Sequence, residues 1–291
     1  MSTCEFIDTF PAFLAYWAKV QDKPLDDQIE GWATEYMSAW PELLSKQIEE
    51  YSSQNLDWRQ IARGKVFPYL TERLSAMRQA RQNLLELGKP LFSRAQQVLA
   101  FDSNAVFVIY VGIGCGAGWV TTFGGSPAIL FGLENIAECG WSTPKAIMGL
   151  VAHEIGHLVH HYWRTQHGKS TGRGPWWQLY EEGFAQRCEE LIKDSGTWHQ
   201  MSSDDDWLDW CKSHKGWLAA KFLRTVDAGE PVSAFFGSWL KICGKSETGY
   251  FLGCGCMKEL EKRFTLQEIA LLENVEVHLR PILEQMMETS D

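Results

Sequence analysis

The spacing of apolar residues along the chain changes from a helical repeat to short continuous runs and then returns to a helical repeat. Between residues 25 and 100, apolar side chains recur at intervals of three and four residues, which predicts helices. Pro41 and Pro90 are expected to break or begin helices in this stretch, because proline lacks the backbone donor that a helix interior needs. We therefore predict an N-terminal helical region over residues 1–104.

Three short apolar runs follow this helical region. The run AVFVIYVGI at 105–113 is rich in β-branched and aromatic residues, which is typical of a strand. Two further runs, WVTTF at 119–123 and AILFGL at 128–133, are separated by glycine-containing turns. Together they predict a small sheet over 105–135, which we expect to be a meander.

A long amphipathic segment comes next and predicts a helix over 143–163. Ser142 or Thr143 can cap its first turn, and apolar residues recur along one face. The polar, glycine-rich segment 164–175 predicts a loop, and helical patterns return over 176–291.

Composition and charge narrow the classes of function. Hydrophobic residues make up 45% of the chain and charged residues 22%, as in ordinary globular proteins. The net charge is −10 and no dense basic run is present, so we expect no nucleic-acid partner. No run reaches the roughly 18 to 20 apolar residues of a membrane span. The N-terminus carries Asp8 within an apolar stretch and does not read as a secretory signal. We expect a cytoplasmic protein, with its eight cysteines as thiols.

The segment HEIGH, from His153 to His157, is an HExxH motif inside the predicted helix. On a helix these two histidines lie on one face about 6 Å apart. Their imidazoles can then share one Zn²⁺ with bonds of about 2.0–2.1 Å. Glu154 lies about 100° around the helix, where it can take a proton from a water that the metal activates. The motif therefore predicts zinc-dependent hydrolysis with Glu154 as the base.

A zinc site of this kind needs a third protein ligand. The spacing HExxHxxGxxH does not supply it, because His160 and Trp163 occupy the glycine and third-histidine positions. The alternative is a glutamate on a following helix, and the segment LYEEGFA offers both Glu181 and Glu182.

HEIGH followed by EEGFA resembles the gluzincin metallopeptidases, which include thermolysin and the zinc aminopeptidases; the resemblance covers residues 127–190. It implies that Glu182, just before the glycine, is the third zinc ligand, with Glu181 as the fallback. Gly183 is expected to let the two helices approach closely. Thermolysin has an acidic residue four positions after the zinc glutamate to orient a ligand histidine, but this chain has Gln186. The chain also resembles predicted zinc-dependent proteases of unknown substrate.

The resemblance implies two further site residues, Glu134 and Tyr250. Zinc aminopeptidases carry Gly-x-Met-Glu-Asn upstream, and its glutamate holds the free amine of the substrate. Here Glu134-Asn135 match, with Leu133 in place of methionine. The alternative is that these two residues only follow the end of a strand and form a turn. Even in that case, the strand could form an edge of the sheet and pair with an extended peptide. Gluzincins also use a Tyr or His to stabilise the oxyanion, and Tyr250 is the candidate here.

These patterns predict a mostly helical α+β fold in which a small sheet packs over the HExxH helix. Residues 105–291 are expected to form a zinc metallopeptidase-like region that cleaves a peptide or a small protein. Two alternatives stay open: a zinc hydrolase of a non-peptide amide or ester, and a non-catalytic peptide-binding protein with this fold. Intact Glu154 argues against the second, because binding zinc does not require it.

Overall fold

The computed structural model describes residues 3–202 and 206–288, which divide into two compact units. The first unit contains residues up to 93 together with 102–151, and the second contains 94–101 and the residues from 152 onward. The predicted division after residue 104 stays a prediction; the compact units group the sheet with the helices that precede it.

The elements confirm a mostly helical α+β fold with a small sheet. The first unit contains β1 (Cys4–Asp8), α1 (Phe10–Val20), α2 (Leu25–Gly31), α3 (Pro41–Ser53), α4 (Trp58–Ile61), β2 (Ala105–Tyr110), β3 (Trp119–Phe123), β4 (Ser126–Gly132) and α6 (Leu133–Glu138). Two helices contribute residues to both units, namely α5 (Leu70–Leu99) and α7 (Pro144–Gln166). The second unit contains α8 (Pro175–Lys193), α9 (Trp207–Ser213), α10 (Lys215–Asp227), α11 (Thr248–Leu260), α12 (Leu266–Ala270) and α13 (Val275–Glu288). Within the described ranges, no helix is both long and apolar enough to cross a membrane.

The sheet has four strands in the order β1-β2-β4-β3, so the predicted meander is wrong. Strand β2 pairs in parallel with both β1 and β4, while β3 pairs antiparallel with β4 across the turn Gly124-Gly125. Residues 128–132 of β4 are all buried, which suits a central strand, whereas β3 is partly exposed and lies at the edge. The strand before Glu134 is therefore central, and the prediction that it forms an edge is wrong. The short β1 was not predicted.

The two prolines behave differently. Pro41 begins α3, as predicted. Pro90 lies inside the 30-residue helix α5, so the predicted helix end there is wrong. A proline removes one helical hydrogen bond, but Leu91 and Phe92, which follow it, are both buried. Packing of this apolar turn stabilises the continuous helix against that loss.

Candidate metal centre

Three potential metal-ligand atoms on helices α7 and α8 lie at nearly equal distances from one another. The Nε2 atoms of His153 and His157 are 3.2 Å apart, and each lies 3.3 Å from Oε2 of Glu182. Ligands arranged tetrahedrally at about 2.0–2.1 Å from a metal are separated from each other by about 3.3 Å. The three side chains therefore present three corners of a tetrahedral site, and their donor set of two imidazoles and one carboxylate fits a divalent metal such as zinc.

The three candidate ligands differ in burial. The side chain of His153 is 3% exposed, whereas those of His157 and Glu182 are 17% and 20% exposed. Partial exposure of two candidate ligands is in keeping with a site that solvent can reach, which a catalytic metal site requires.

Helix α7 begins as the sequence indicates. The backbone N–H of Ala146 donates to Oγ1 of Thr143, so Thr143 caps the first turn and Pro144 is the first helical residue. The helix then continues through the HExxH segment, which places His153 and His157 one turn apart on one face. Local sequence signals are therefore sufficient to bring two of the three ligands together.

The third ligand depends on close contact between α7 and α8 at Gly156. A Cβ atom at this position would lie 2.8 Å from Cα of Ala185 and 2.8 Å from Cβ of Cys188. Because real Cβ atoms do not approach so closely, only glycine allows α8 to pack at this distance. This contact lies one turn from Glu182 and holds its carboxylate against the two histidines.

Gly183 has a different partner from the predicted one. A Cβ atom at Gly183 would lie 2.3 Å from the carbonyl carbon of Gly253, and a Cβ atom at Gly253 would lie 2.4 Å from the carbonyl oxygen of Leu179. Gly183 therefore lets α8 approach α11 rather than the HExxH helix, and the prediction named the wrong pair of helices. The consequence for the site is that α11 brings Tyr250 to the metal centre.

The charges of the three ligands are strongly coupled. Burial lowers the pKa of His153 to about 4, despite its contact with Glu182. Burial also acts to lower the pKa of His157, but the charge and hydrogen bond of Glu182, together with the charges of Glu154 and Glu181, outweigh burial and raise this pKa to about 9. For Glu182, burial favours the neutral acid, yet the two histidines hold its pKa well below the usual range. The glutamate is therefore an anion available to a cation.

Glu154 lies beside this group without belonging to it. Its side chain is 5% exposed, and burial raises its pKa to about 7, against the opposing effect of His157. A general base works best when its pKa lies near the working pH. Glu154 is thus suited by position and environment to accept a proton next to the metal centre.

Tyr250 also lies at the centre. Its ring centroid is 5.4 Å from that of His153, and its hydroxyl interacts with Glu182. Burial, reinforced by the charge of Glu182, raises the pKa of Tyr250 well above its ordinary value. The phenol therefore keeps its proton at neutral pH and can donate a hydrogen bond to a developing oxyanion.

A buried network behind His153 was not predicted from the sequence. Glu189 and His199 form, with His153, the second group of potential ligand atoms found among residues 3–202 and 206–288. Oε2 of Glu189 lies 2.7 Å from Nδ1 of His199, and the rings of His199 and His153 are 5.2 Å apart. Lys193 and the side-chain amide of Gln186 also donate to Glu189.

Glu189 is the acidic residue near His153 where the chain has Gln186 at the position expected from the resemblance, but it bonds to His199 and not to Nδ1 of His153, which has no hydrogen-bond partner among the described residues. Burial would raise the pKa of Glu189, but the charge of His199 and its hydrogen bond outweigh burial and hold the pKa at about 2. An anion is therefore fixed near His153, on the side away from the solvent. The sequence signal is the spacing of seven residues between Glu182 and Glu189, which places both on one face of α8.

Glu189→Gln is expected to weaken metal binding about 10- to 100-fold, because it removes the buried negative charge next to His153 and substitutions behind metal ligands have effects of this size. Competition with a chelator of known affinity measures the change. Glu190→Gln is the matched control: Glu190 is also buried and paired, but with Arg187, Lys258 and Trp198. Equal losses in the two variants would show that Glu189 acts on folding alone.

Glu181, the alternative candidate for the third ligand, is directed towards His160. Its Oε1 lies 3.7 Å from Nδ1 of His160, and it does not belong to either group of potential ligand atoms in the described chain. The structure thus brings Glu182, and not Glu181, to the two histidines of HExxH.

Glu134 lies in the first unit, at the start of α6. Its two carboxylate oxygens accept the backbone N–H groups of Gly112 and Gly114, at 2.7 and 3.2 Å. The side chain is fully buried, which raises its pKa to about 7. Its neighbour Asn135 accepts the N–H of Gly116 at 3.1 Å. Both residues therefore fix the loop that follows β2, and a role of Glu134 in substrate binding stays a prediction.

Comparisons with known proteins found no significant similarity to this chain. No protein-family model matches the chain, and no curated protein and no solved structure is significantly similar to it. The resemblance to gluzincins accordingly rests on HEIGH and EEGFA, together with the geometry of the residues that these motifs contain.

Proposed function

We propose that this chain is a zinc-dependent metallopeptidase of the gluzincin type, with His153, His157 and Glu182 as metal ligands. The observation that carries the proposal is the triangle of ligand atoms with edges of 3.2–3.3 Å, beside which Glu154 lies. A surface helix that happened to carry two histidines would have no reason to hold a glutamate at tetrahedral spacing from both.

The donor set favours zinc over the alkaline-earth ions. Ca²⁺ and Mg²⁺ prefer six or more oxygen ligands or an octahedral oxygen shell, whereas two imidazoles and one carboxylate are typical of catalytic zinc. When bound, zinc would acidify a water and polarise the substrate carbonyl.

The residues of the chain then supply the proton transfers and the oxyanion contact. Glu154 accepts a proton from the attacking water and can return it to the leaving amine, as a base with a pKa near 7 is able to do. The protonated hydroxyl of Tyr250 donates a hydrogen bond to the oxygen that becomes negative. Glu189 and His199 lie next to His153, where the negative charge of Glu189 favours a cation at the metal centre.

The proposal extends to the substrate and the compartment. A peptide or a small protein is the proposed substrate, and neither nucleic acid nor a membrane is proposed as a partner. A cytoplasmic location is part of the proposal, and the presence of the cysteines as thiols is in keeping with it.

Metal removal and re-addition test the proposed function. We expect one zinc per chain, loss of cleavage of a peptide library after chelation, and recovery with one equivalent of zinc. Metal analysis and mass spectrometry of the products are the measurements. A protein that takes up no zinc on titration would exclude the proposal. Zinc uptake with hydrolysis of esters alone would favour the non-peptide hydrolase, and zinc uptake without any hydrolysis would favour the binding protein.

A further inference from the structure

Glu247 is a buried carboxylate without a protein partner. It immediately precedes helix α11 and is 7% exposed, yet its side chain neither caps the helix nor forms a hydrogen bond or ion pair with any residue in the described ranges. Buried carboxylates in proteins are normally hydrogen-bonded, paired with a cation or bound to a metal. Glu247 has neither a hydrogen-bond donor nor a cation of the described chain as a partner, so its carboxylate is available to a ligand from outside the chain.

The backbone at Glu247 is also unusual. Its φ of 59° and ψ of 27° lie in the left-handed region, which residues other than glycine, asparagine and aspartate seldom adopt. Such conformations persist where the surrounding structure imposes them, and they cluster at ligand-binding sites. The conformation fixes the side chain of Glu247 at the buried start of α11, three residues before Tyr250.

Glu247 lies near the metal centre but outside the ligand set, since it precedes Tyr250 by three residues and the ring of Tyr250 lies 5.4 Å from that of His153. The charge of Glu182 acts on Glu247, and the charge of Glu247 acts on Tyr250. Neither group of potential metal-ligand atoms in the described chain includes Glu247. Burial, reinforced by Glu182, raises the pKa of Glu247 to about 8, so a neighbouring cation would stabilise its charged form considerably. No Lys, Arg or His is among the residues that act on its charge.

We propose that Glu247 binds a cationic nitrogen of the substrate next to the bond that is cleaved. This inference rests on the proposed function, because it takes the metal centre as the site of cleavage. A carboxylate in a site of low polarity recognises an ammonium or guanidinium group through a charge-assisted hydrogen bond. The cation can come from two sources, the free N-terminus of a peptide or the side chain of a lysine or arginine. Either one would fix the position of the peptide relative to Glu182 and Tyr250.

The test measures peptide binding in the absence of cleavage. The parent is the zinc-loaded Glu154→Gln variant, which we expect to bind peptides without cutting them. The peptides titrated into this variant are a short peptide that is acetylated, amidated and free of charged residues, the same peptide with a free N-terminus, and acetylated versions that carry lysine at one position at a time. Calorimetric titration gives the dissociation constants. The parent is expected to bind at least one charged peptide about 10- to 100-fold more tightly than the neutral one.

Two substitutions at Glu247 separate recognition from folding. Glu247→Gln keeps the shape, and Glu247→Asn introduces a residue that tolerates the left-handed backbone. Both are expected to abolish the preference for the charged peptide while leaving zinc content and the affinity for the neutral peptide unchanged. Glu284→Gln, which removes an exposed carboxylate from α13, is the matched control and should keep the preference.

Each result either identifies the source of the cation or overturns the proposal. A preference for the free N-terminus identifies an aminopeptidase-like contact, and a preference for lysine at one position identifies a side-chain subsite. Equal binding of charged and neutral peptides by the parent, including no binding of either, overturns the proposal. It is also overturned if the Glu247 variants weaken binding of both peptides alike. The proposed function fails separately, if the wild-type protein binds zinc but cleaves none of these peptides, because the binding titrations do not depend on turnover.

Discussion

Glu154→Gln is expected to remove nearly all turnover while the zinc content stays the same. Glutamine keeps the volume of the side chain but cannot accept the proton of the attacking water. The metal ligands are unchanged, because the triangle of ligand atoms is formed by His153, His157 and Glu182 without Glu154. A fall of about 10²–10⁴-fold in kcat is the usual effect of losing a general base.

Two measurements on the same preparations check this result. The first is the rate of peptide cleavage by wild type and variant under saturating zinc, and the second is the zinc content after dialysis. Glu284→Gln, far along the chain and exposed, should leave both unchanged. If Glu154→Gln lost its zinc, Glu154 would be a ligand and the assignment of roles would have to change.

The sequence predicts those parts of the site that depend on neighbours along one helix. The cap at Thr143, the first turn at Pro144 and the HExxH spacing are local, and a helical repeat fixes where each side chain points. The same reasoning fails for Gly183, because a glycine indicates a close contact but does not identify the helix that makes it. Only the structure shows that its partner is Gly253 of α11.

Most of the features that could not be predicted from the sequence depend on contacts between segments that are far apart in the chain. His199 is separated from Glu189 by a helix end and a turn, so nothing in its sequence surroundings indicates that it pairs with Glu189 and lies next to His153. Strand β4 follows β3 directly, yet β4 pairs with β2 as well, because its wholly buried residues require neighbours on both sides. In both cases the contacts depend on which residues are buried in the folded protein, and a short apolar run in the sequence does not show this.

Glu247 illustrates the same limit for a charged residue. In the sequence it lies in the polar, glycine-containing segment 244–249, where a solvated position would be the natural interpretation. The structure buries it at the start of α11 with a left-handed backbone. The chemistry that this burial implies could be proposed only once the absence of a protein partner was known.

Glu182→Ala is expected to weaken zinc binding by more than the 10- to 100-fold that substitutions behind the ligands produce, because it removes a ligand itself. Glu181→Ala should leave zinc affinity close to that of the wild type. The two residues are adjacent glutamates with similar exposure, so they form a matched pair. What differs is direction: Oε2 of Glu182 lies 3.3 Å from both histidines, whereas Oε1 of Glu181 lies 3.7 Å from His160.

Competition titrations with a zinc chelator of known affinity distinguish the two variants. Circular dichroism of both should match that of the wild type, so that a lost ligand is not confused with a lost helix. Burial would by itself favour the neutral form of Glu182, and only the two histidines keep it ionised. Its carboxylate is therefore held as an anion at the third corner of the site, which is the property that a zinc ligand needs. The opposite ranking, with Glu181→Ala the weaker binder of zinc, would show that the motif EEGFA is shifted by one residue relative to the gluzincins and that α8 presents its other glutamate to the metal.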